Sequence, residues 1–463
     1  MAGIGFRLRE IVTRKTFTEW LQLYIYSAVI FAGPWLLSIL CLASLSVFAL
    51  PSLQEEGVAL FTISVVYCYA FSLITTGIVQ LPVTRFVADR LYAHEASAII
   101  PSFVGVIIFL VPVQAVSASV FLAFCELPFA FKIAATGLYV TISVIWMAMI
   151  YLTAAKDYNA LVLGFVAGYG VSFVLGWWLS GIYGTTGTMS GFLAGQTVLC
   201  FWLIWRIIEE FPNDTPFNLD FVSSFRMYPN LAVAGFFYSA AIWVDKMVFW
   251  FGPSGIRVES LFYTHFPYDS AMFFAYITIV PALALFLVRI ETEFYEKYKA
   301  YFGGILAKDP LSKIEERRAD LVNALKKSLG VVVIYQGIIT ILVLVLLPSV
   351  LDAFDVDQAH LGLFRIAAVA AVFHVILLVL MVVLLYFDFR KSVMWLSILF
   401  FGLNLFFSWA TVDSPELYGW GYLGATLLTL LLSIVVLWNR VEQLEFLTFV
   451  HQPISAQQRI MSR

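Results

Sequence analysis

The sequence predicts an all-α integral membrane protein of about twelve transmembrane helices, divided six and six, with both termini in the cytoplasm. Of its 463 residues, 62% are hydrophobic and 12% charged, against about 45–50% and about 25% in soluble globular chains. A larger soluble core does not account for so wide a shift, so lipid must solvate most of the surface. Charge-free apolar runs recur along the whole chain at about the 20 residues that cross a hydrocarbon core of roughly 30 Å. Basic residues gather in alternate connections, which orients the spans.

The opening "MAGIGFRLREIVTRKTFTEW", residues 1–20, reads as a basic, amphipathic cytoplasmic segment. The charge-free run behind it, residues 20–54, is too long for the apolar region of a cleavable signal, about 7–15 residues, and reads as the first span. Runs 57–84, 96–125 and 133–155 follow, and 158–205 holds two helices split by the turn-rich "SGIYGTTGTMSG". These six make a first lobe, residues 21–208. Residues 209–228, with scattered Pro, Asn, Asp and Phe, read as a linker along the membrane surface. The second lobe, 229–440, holds runs 227–251, 270–288, 328–351, 366–387, 392–412 and 417–439, a long inner loop at 289–327, and then a cytoplasmic tail, 441–463.

With the amino terminus inside, 23 of the 27 Lys and Arg residues fall in inner segments; Lys132, Arg257 and Arg365 are outside, and Lys246 lies within a span. That bias is the positive-inside pattern. A net charge of −3 gives no reason to expect nucleic acid. Cys41, Cys68, Cys125 and Cys200 lie in or beside apolar runs without CxxC spacing and read as buried thiols, not a disulfide or zinc framework. No metal or cofactor site is expected, and no P-loop for nucleotide hydrolysis occurs.

"YSAVIFAGP" at 26–34 echoes "YSAAIWVDK" at 238–246 at a constant offset of 212 residues, the arrangement of a parallel repeat. Asp245 and Lys246 then take the place of Gly33 and Pro34. In the inner loop, Ile314, Leu321, Val322 and Leu325 share one helical face. That helix reads as lying on the headgroups or, through Arg317, Arg318, Lys326 and Lys327, as docking a cytoplasmic partner.

Several segments together resemble the PelG family of inner-membrane exopolysaccharide transporters: "MAGIGFRLRE", "QLPVTRFVADRLY", "NLAVAGFFYSAAIWVDKMVFWF", "YDSAMFFAYITIVPALALFLVRIETEFYEKY" and "YFDFRKS". That family looks like part of the polysaccharide branch of the multidrug/oligosaccharidyl-lipid/polysaccharide flippase superfamily. The resemblance implies two six-helix lobes around a central, alternately opening cavity in a Gram-negative inner membrane. It also implies passage of an N-acetylhexosamine-rich polymer to the periplasm, and partnership with the cyclic di-GMP receptor PelD, with PelE and with the glycosyltransferase PelF. A lipid-linked oligosaccharide flippase or a cation-coupled drug exporter of the same superfamily is the alternative. A membrane glycosyltransferase or acyltransferase would need gathered acidic groups, for which "DAFDVD" at 352–357 is the best candidate; no catalytic residue is assigned.

The charge pair in the seventh helix is the outstanding candidate site. A charge at the bilayer centre costs at least about 2.5–3.5 kcal/mol. Adjacent helical residues point about 100° apart, so Asp245 and Lys246 are not expected to neutralise one another. Asp245, about 9 Å from the outer end, reads either as part of a buried polar pair fixing its helix against neighbours or as a group on a substrate path with Lys246, Tyr238, Trp243, Gln80, Gln336 and, at the inner end, Arg85. Asp245 and His374 are the candidates for proton coupling.

Overall fold

The computed structural model describes residues 17–155, 158–212, 216–353 and 357–450. The segment 1–16, the middle of the 352–357 loop and the tail 451–463 lie outside the described residues. Among those described, ten helices are long and apolar enough to cross a membrane.

The described residues open with α1 (Phe17–Tyr92), which is two helices joined at Gln54, where φ is 60° and ψ 173°. The second limb runs back along the first, since Ser46 Oγ lies 3.5 Å from Thr62 Oγ1. Then come α2 (Ile99–Ala123), α3 (Phe129–Ala155) and α4 (Tyr158–Glu210). The last folds back at Gly184, with φ 58° and ψ −140°, a conformation open to glycine because no Cβ obstructs it. Across that turn Ser172 Oγ donates to the Phe192 carbonyl at 3.1 Å, and Gln196 Nε2 donates to Ser172 Oγ at 3.3 Å. The turn-rich stretch therefore makes the reversal the sequence predicts.

A short helix, α5 (Phe221–Met227), leads into α6 (Pro229–Phe251), which begins with proline at its first position, where no intrahelical N–H is needed. Beyond α6 the all-helical expectation fails locally. Strands β1 (Ile256–Glu259) and β2 (Phe262–Thr264) form an antiparallel hairpin, with a bulge between Arg257 and Glu259. β-branched and aromatic residues (Ile256, Val258, Phe262, Tyr263, Thr264) between α6 and α7 suit a pleated surface.

The remaining helices are α7 (Phe266–Thr278), α8 (Val280–Arg289), α9 (Tyr295–Leu306), α10 (Leu311–Ala353), α11 (Leu361–Tyr386), α12 (Arg390–Thr411), α13 (Trp420–Glu442) and α14 (Leu444–Val450). α10 runs unbroken for 43 residues, about 65 Å at 1.5 Å per residue. The amphipathic stretch expected to lie on the headgroups instead continues into the next span, so its first half projects along that axis. The reason is local: "LSKIEERRADLVNALKKSL" contains neither proline nor glycine, so nothing stops the helix.

Two hydrophobic cores result. One gathers residues from 41 to 221, joined by Trp250 and Phe262; the other gathers residues from 234 to 444. All four cysteines are buried and free. The halves touch where α1 meets α6: a Cβ on Gly235 would stand 2.1 Å from the Gly77 carbonyl oxygen, and one on Gly77 2.7 Å from that of Gly235. Only glycine permits backbones so close.

Gly235→Leu is expected to destabilise by about 1–3 kcal/mol, the usual cost of overpacking, and to lower the thermal-unfolding midpoint of the purified protein by several degrees. Gly303→Ala, with nothing within 4 Å of the added carbon, is expected to leave it within a degree or so.

Candidate functional site: a buried charge pair and a basic vestibule

α6 places Asp245 and Lys246 in the buried interior of the second half, 0% and 6% exposed. Contrary to the sequence expectation, they do neutralise one another. Lys246 Nζ lies 3.1 Å from Asp245 Oδ2 and 3.3 Å from Oδ1, and donates to the Ile242 carbonyl at 3.0 Å. Cβ directions on adjacent residues diverge, but the lysine stem has four carbons and curls back across the gap.

Tyr268 Oη on α7 donates to Asp245 Oδ2 at 2.9 Å. The ammonium of Lys246 stands over three rings, Tyr276 at 5.2 Å, Trp243 at 5.6 Å and Tyr422 at 5.7 Å, an electrostatic cage. From that cage a chain of polar groups continues: Tyr276 Oη to Tyr422 Oη at 2.7 Å, Tyr422 Oη to His374 Nδ1, and His374 Nε2 to Tyr238 Oη at 3.4 Å. Asn404 Nδ2 on α12 donates to the Ala241 carbonyl on α6 at 2.8 Å. Asp245, Lys246, Trp243, Tyr238 and His374 thus meet in one network, fully enclosed at Asp245. Gln80 and Gln336 bond locally instead, Gln80 to Thr76 at 2.9 Å and Gln336 to Thr340 at 3.2 Å, each on its own helix.

Arg85 belongs to a different place. It lies at the basic end of the bundle, where a cavity of about 860 Å³ opens between the halves. Arg85 of the first half and Met227 of the linker line it together with second-half residues, among them Asn230, Tyr298, Tyr386, Asp388, Arg390, Lys391 and Arg440. Asp388, in a left-handed turn at φ 61°, draws Arg85 to 3.5 Å and Arg390 to 3.0 Å. Asp89 holds Arg85 at 3.0 Å. The Tyr228 ring lies under both guanidinium groups, at 5.4 Å from Arg85 and 4.4 Å from Arg390. Four cations, one carboxylate and several rings make a positively charged chamber. Lys and Arg in a cavity attract anionic or hydrogen-bonding ligands, and the rings give sugar C–H faces a surface to stack on.

A family model described as "PelG: Putative exopolysaccharide Exporter (EPS-E)" matches residues 1–449. The chain belongs to the PelG family. Among solved structures it is similar to a MOP superfamily transporter from Pyrococcus furiosus, at 13% identity over 91% of this chain and 96% of that one, with a TM-score of 0.60. It is also similar to a MATE in complex with MaD3S, at 13% identity over 92% and 96%, TM-score 0.62. The inward-facing conformation of a MATE family transporter of the MOP superfamily matches at 14% identity over 90% and 99%, TM-score 0.58. Identity so low shows the fold alone: this exopolysaccharide-exporter family member has a MOP-type transporter fold and is a multi-pass membrane protein. No curated protein matches it in sequence.

At the end opposite the vestibule, the PelG-family chain closes over an aromatic plug. Tyr67 of α1 stacks on Trp250 at 4.8 Å, donates to the Tyr263 carbonyl at 3.1 Å and accepts from its N–H at 3.2 Å. Phe121 of α2 meets Phe262 edge-on at 5.6 Å, and the Glu126 N–H donates to Ser260 Oγ at 2.8 Å. Trp250 Nε1 in turn donates to Asp269 Oδ2 at 2.8 Å. Burial holds the His265 imidazole below its ordinary pKa, and its Nδ1 accepts from the Tyr268 N–H at 3.2 Å.

The proposed docking cations are engaged within the chain. Arg317 reaches Asp309 at 2.8 Å and the Ala300 carbonyl at 3.0 Å; Arg318 reaches Glu445 at 2.6 Å and the Glu442 carbonyl at 2.9 Å. Lys326 covers the Trp438 ring at 4.7 Å, and Lys327 faces Glu293 at 3.8 Å. Burial beside Glu445 pushes the Tyr301 hydroxyl up to about 12, so it stays protonated there. In the 352–357 loop, Asp352 accepts from Gln358 at 2.6 Å and Asp357 caps a short turn. Among the described residues no His, Cys, Asp and Glu cluster could hold a metal.

Sequence reading missed Tyr268, Tyr276 and Tyr422 because their signal is a tyrosine in an apolar helix, indistinguishable from packing. Asp388, Arg390 and Lys391 were visible as the polar turn "YFDFRKS", but not as the far wall of a cavity reached by Arg85.

Asp245→Asn is expected to leave an unpaired buried ammonium and cost about 3–5 kcal/mol, read as loss of monodisperse protein on size exclusion. Adding Lys246→Met is expected to restore it. If the single variant is as stable as the parent, the pair is not holding α6 in place.

Proposed function

We propose that this chain carries the Pel exopolysaccharide, an N-acetylhexosamine-rich polymer, from the cytoplasm to the periplasm across a Gram-negative inner membrane. The observation that carries this reading is the family match over residues 1–449. The vestibule supports it, because its chemistry suits a hydroxyl-rich chain. The reversals at Gln54 and Gly184 favour twelve passes in two lobes of six, and the basic bias of the loops favours cytoplasmic termini. In this orientation the vestibule faces the cytoplasm, and the aromatic plug closes the periplasmic side.

Polymer delivered by a synthase enters between Arg85 and Arg390 and stacks on Tyr298 and Tyr386. A neutral polymer needs hydrogen bonds and rings more than a strong field, and the Asp388 carboxylate tempers the cations facing it. Partner contact with PelD, PelE and the glycosyltransferase PelF falls on the projecting half of α10. With its arginines engaged, that surface offers the exposed Glu315 and Glu316. Energy coupling is assigned to Asp245 and His374, which the cage around Lys246 links. Protonating Asp245 would free the ammonium and loosen α6 from α7.

Arg85→Glu is expected to cut polymer delivery about tenfold or more in vesicles carrying the chain and its synthase, the effect of losing a charge-assisted contact of about 1.5–3 kcal/mol. Delivery at the parental rate would remove the vestibule from the path. Collapsing the proton gradient in the same vesicles is expected to slow delivery; an unchanged rate would leave Asp245 and His374 without a coupling role.

A further inference from the structure

Beside the vestibule a second cavity, of about 600 Å³, runs along the outer surface between α12 and α13. Its walls are apolar through Trp395, Leu396, Leu399, Leu432 and Val436, and polar at the basic end through Ser392, Asn439, Arg440 and Gln443. Ser392 and Arg440 line both cavities, so groove and vestibule meet there. Lys391 lines the vestibule at the same corner. Among the described residues neither Lys391 nor Arg440 has an ion-pair partner, in contrast to Arg85 and Arg390; Arg440 only covers the Phe389 ring at 5.8 Å.

We propose that this groove holds one anionic glycerophospholipid. One of its two acyl chains lies along Leu432 and Val436 and its phosphate sits between Lys391 and Arg440, where the headgroup completes the side wall of the vestibule. Length argues for an acyl chain. From Leu432 on α13 to Gln443, the residue that follows that helix, the wall rises eleven residues, about 16 Å, which matches one leaflet of a roughly 30 Å core. A long polyprenyl chain would overrun it. Charge argues for an anionic headgroup: two cations without an ion-pair partner among the described residues stand at the groove's basic end, beside the amide and hydroxyl groups of Asn439, Gln443 and Ser392. The surrounding surface is already lipid-facing, with Trp395 64% exposed.

A bound lipid here would separate the cavity mouth from the bilayer and keep polymer from escaping sideways. The proposal rests on the export reading only for placing this end in the cytoplasmic leaflet. Its test uses no polymer, so its failure leaves that reading standing.

The full chain, delipidated in detergent, is titrated with phosphatidylglycerol or phosphatidylcholine and followed by native mass spectrometry. One phosphatidylglycerol is expected to be retained in preference to phosphatidylcholine. Each basic side chain near an anionic headgroup is worth about fivefold, so Lys391→Gln with Arg440→Gln is expected to weaken retention about thirtyfold. Lys391→Arg with Arg440→Lys restores it, and Val436→Trp, which fills the groove and leaves both cations, also weakens it. Equal retention of the two lipids, or no loss in the Gln variant, overturns the proposal. So does displacement by an equal concentration of polyprenyl phosphate, which would assign the groove to another lipid class. Displacement by inorganic phosphate alone overturns it too, because the acyl chain would then contribute nothing.

Discussion

Hydrocarbon solvates neither an ion nor an unpaired backbone group, and the second half of this protein is organised around meeting that constraint at Asp245 and Lys246. The pair neutralises itself on α6; Tyr268 bonds its carboxylate and the rings of Tyr276 and Tyr422 face its ammonium, while His374 joins through Tyr422 and Asn404 through the Ala241 carbonyl. Tyr268 and Tyr276 come from α7, His374 from α11, Asn404 from α12 and Tyr422 from α13. Buried ion pairs are poor sources of net stability. What this one supplies is registry: each ring and hydroxyl has one place to sit, and the helices carrying them follow.

α6 also carries Gly235, which meets Gly77 backbone to backbone. That contact lies about 15 Å along the helix from Asp245, towards the vestibule. One helix therefore joins the interior network of one half to the surface of the other. On the basic side of the contact the halves part around a cavity; on the far side they are sealed by rings. A rigid α6 makes any tilt at the glycine contact felt at both ends.

What the sequence could show was set by period and composition. Apolar runs, loop charge and the turn-rich stretch at Gly184 are local signals, and the helices follow them closely. The α6 pair was legible as an anomaly, but its resolution was not, because Cβ direction says nothing about where a four-carbon stem will carry an ammonium. The vestibule was invisible for another reason. Arg85, Tyr228, Tyr298 and Asp388 are strung over some three hundred positions and converge only when the halves pack. The β1–β2 hairpin was hidden by its length, since strands of four and three residues leave no alternation to detect beside two apolar helices.

That hairpin is not shared evenly. It is built wholly on the link between α6 and α7, while Tyr67 and Phe121, the rings it leans on, belong to α1 and α2. The stopper is thus carried by one half and its seat by the other. Withdrawal would part Tyr67 and Phe121 on one bank from Trp250 and Phe262 on the other, so opening this end would line both sides of the gap with aromatic faces.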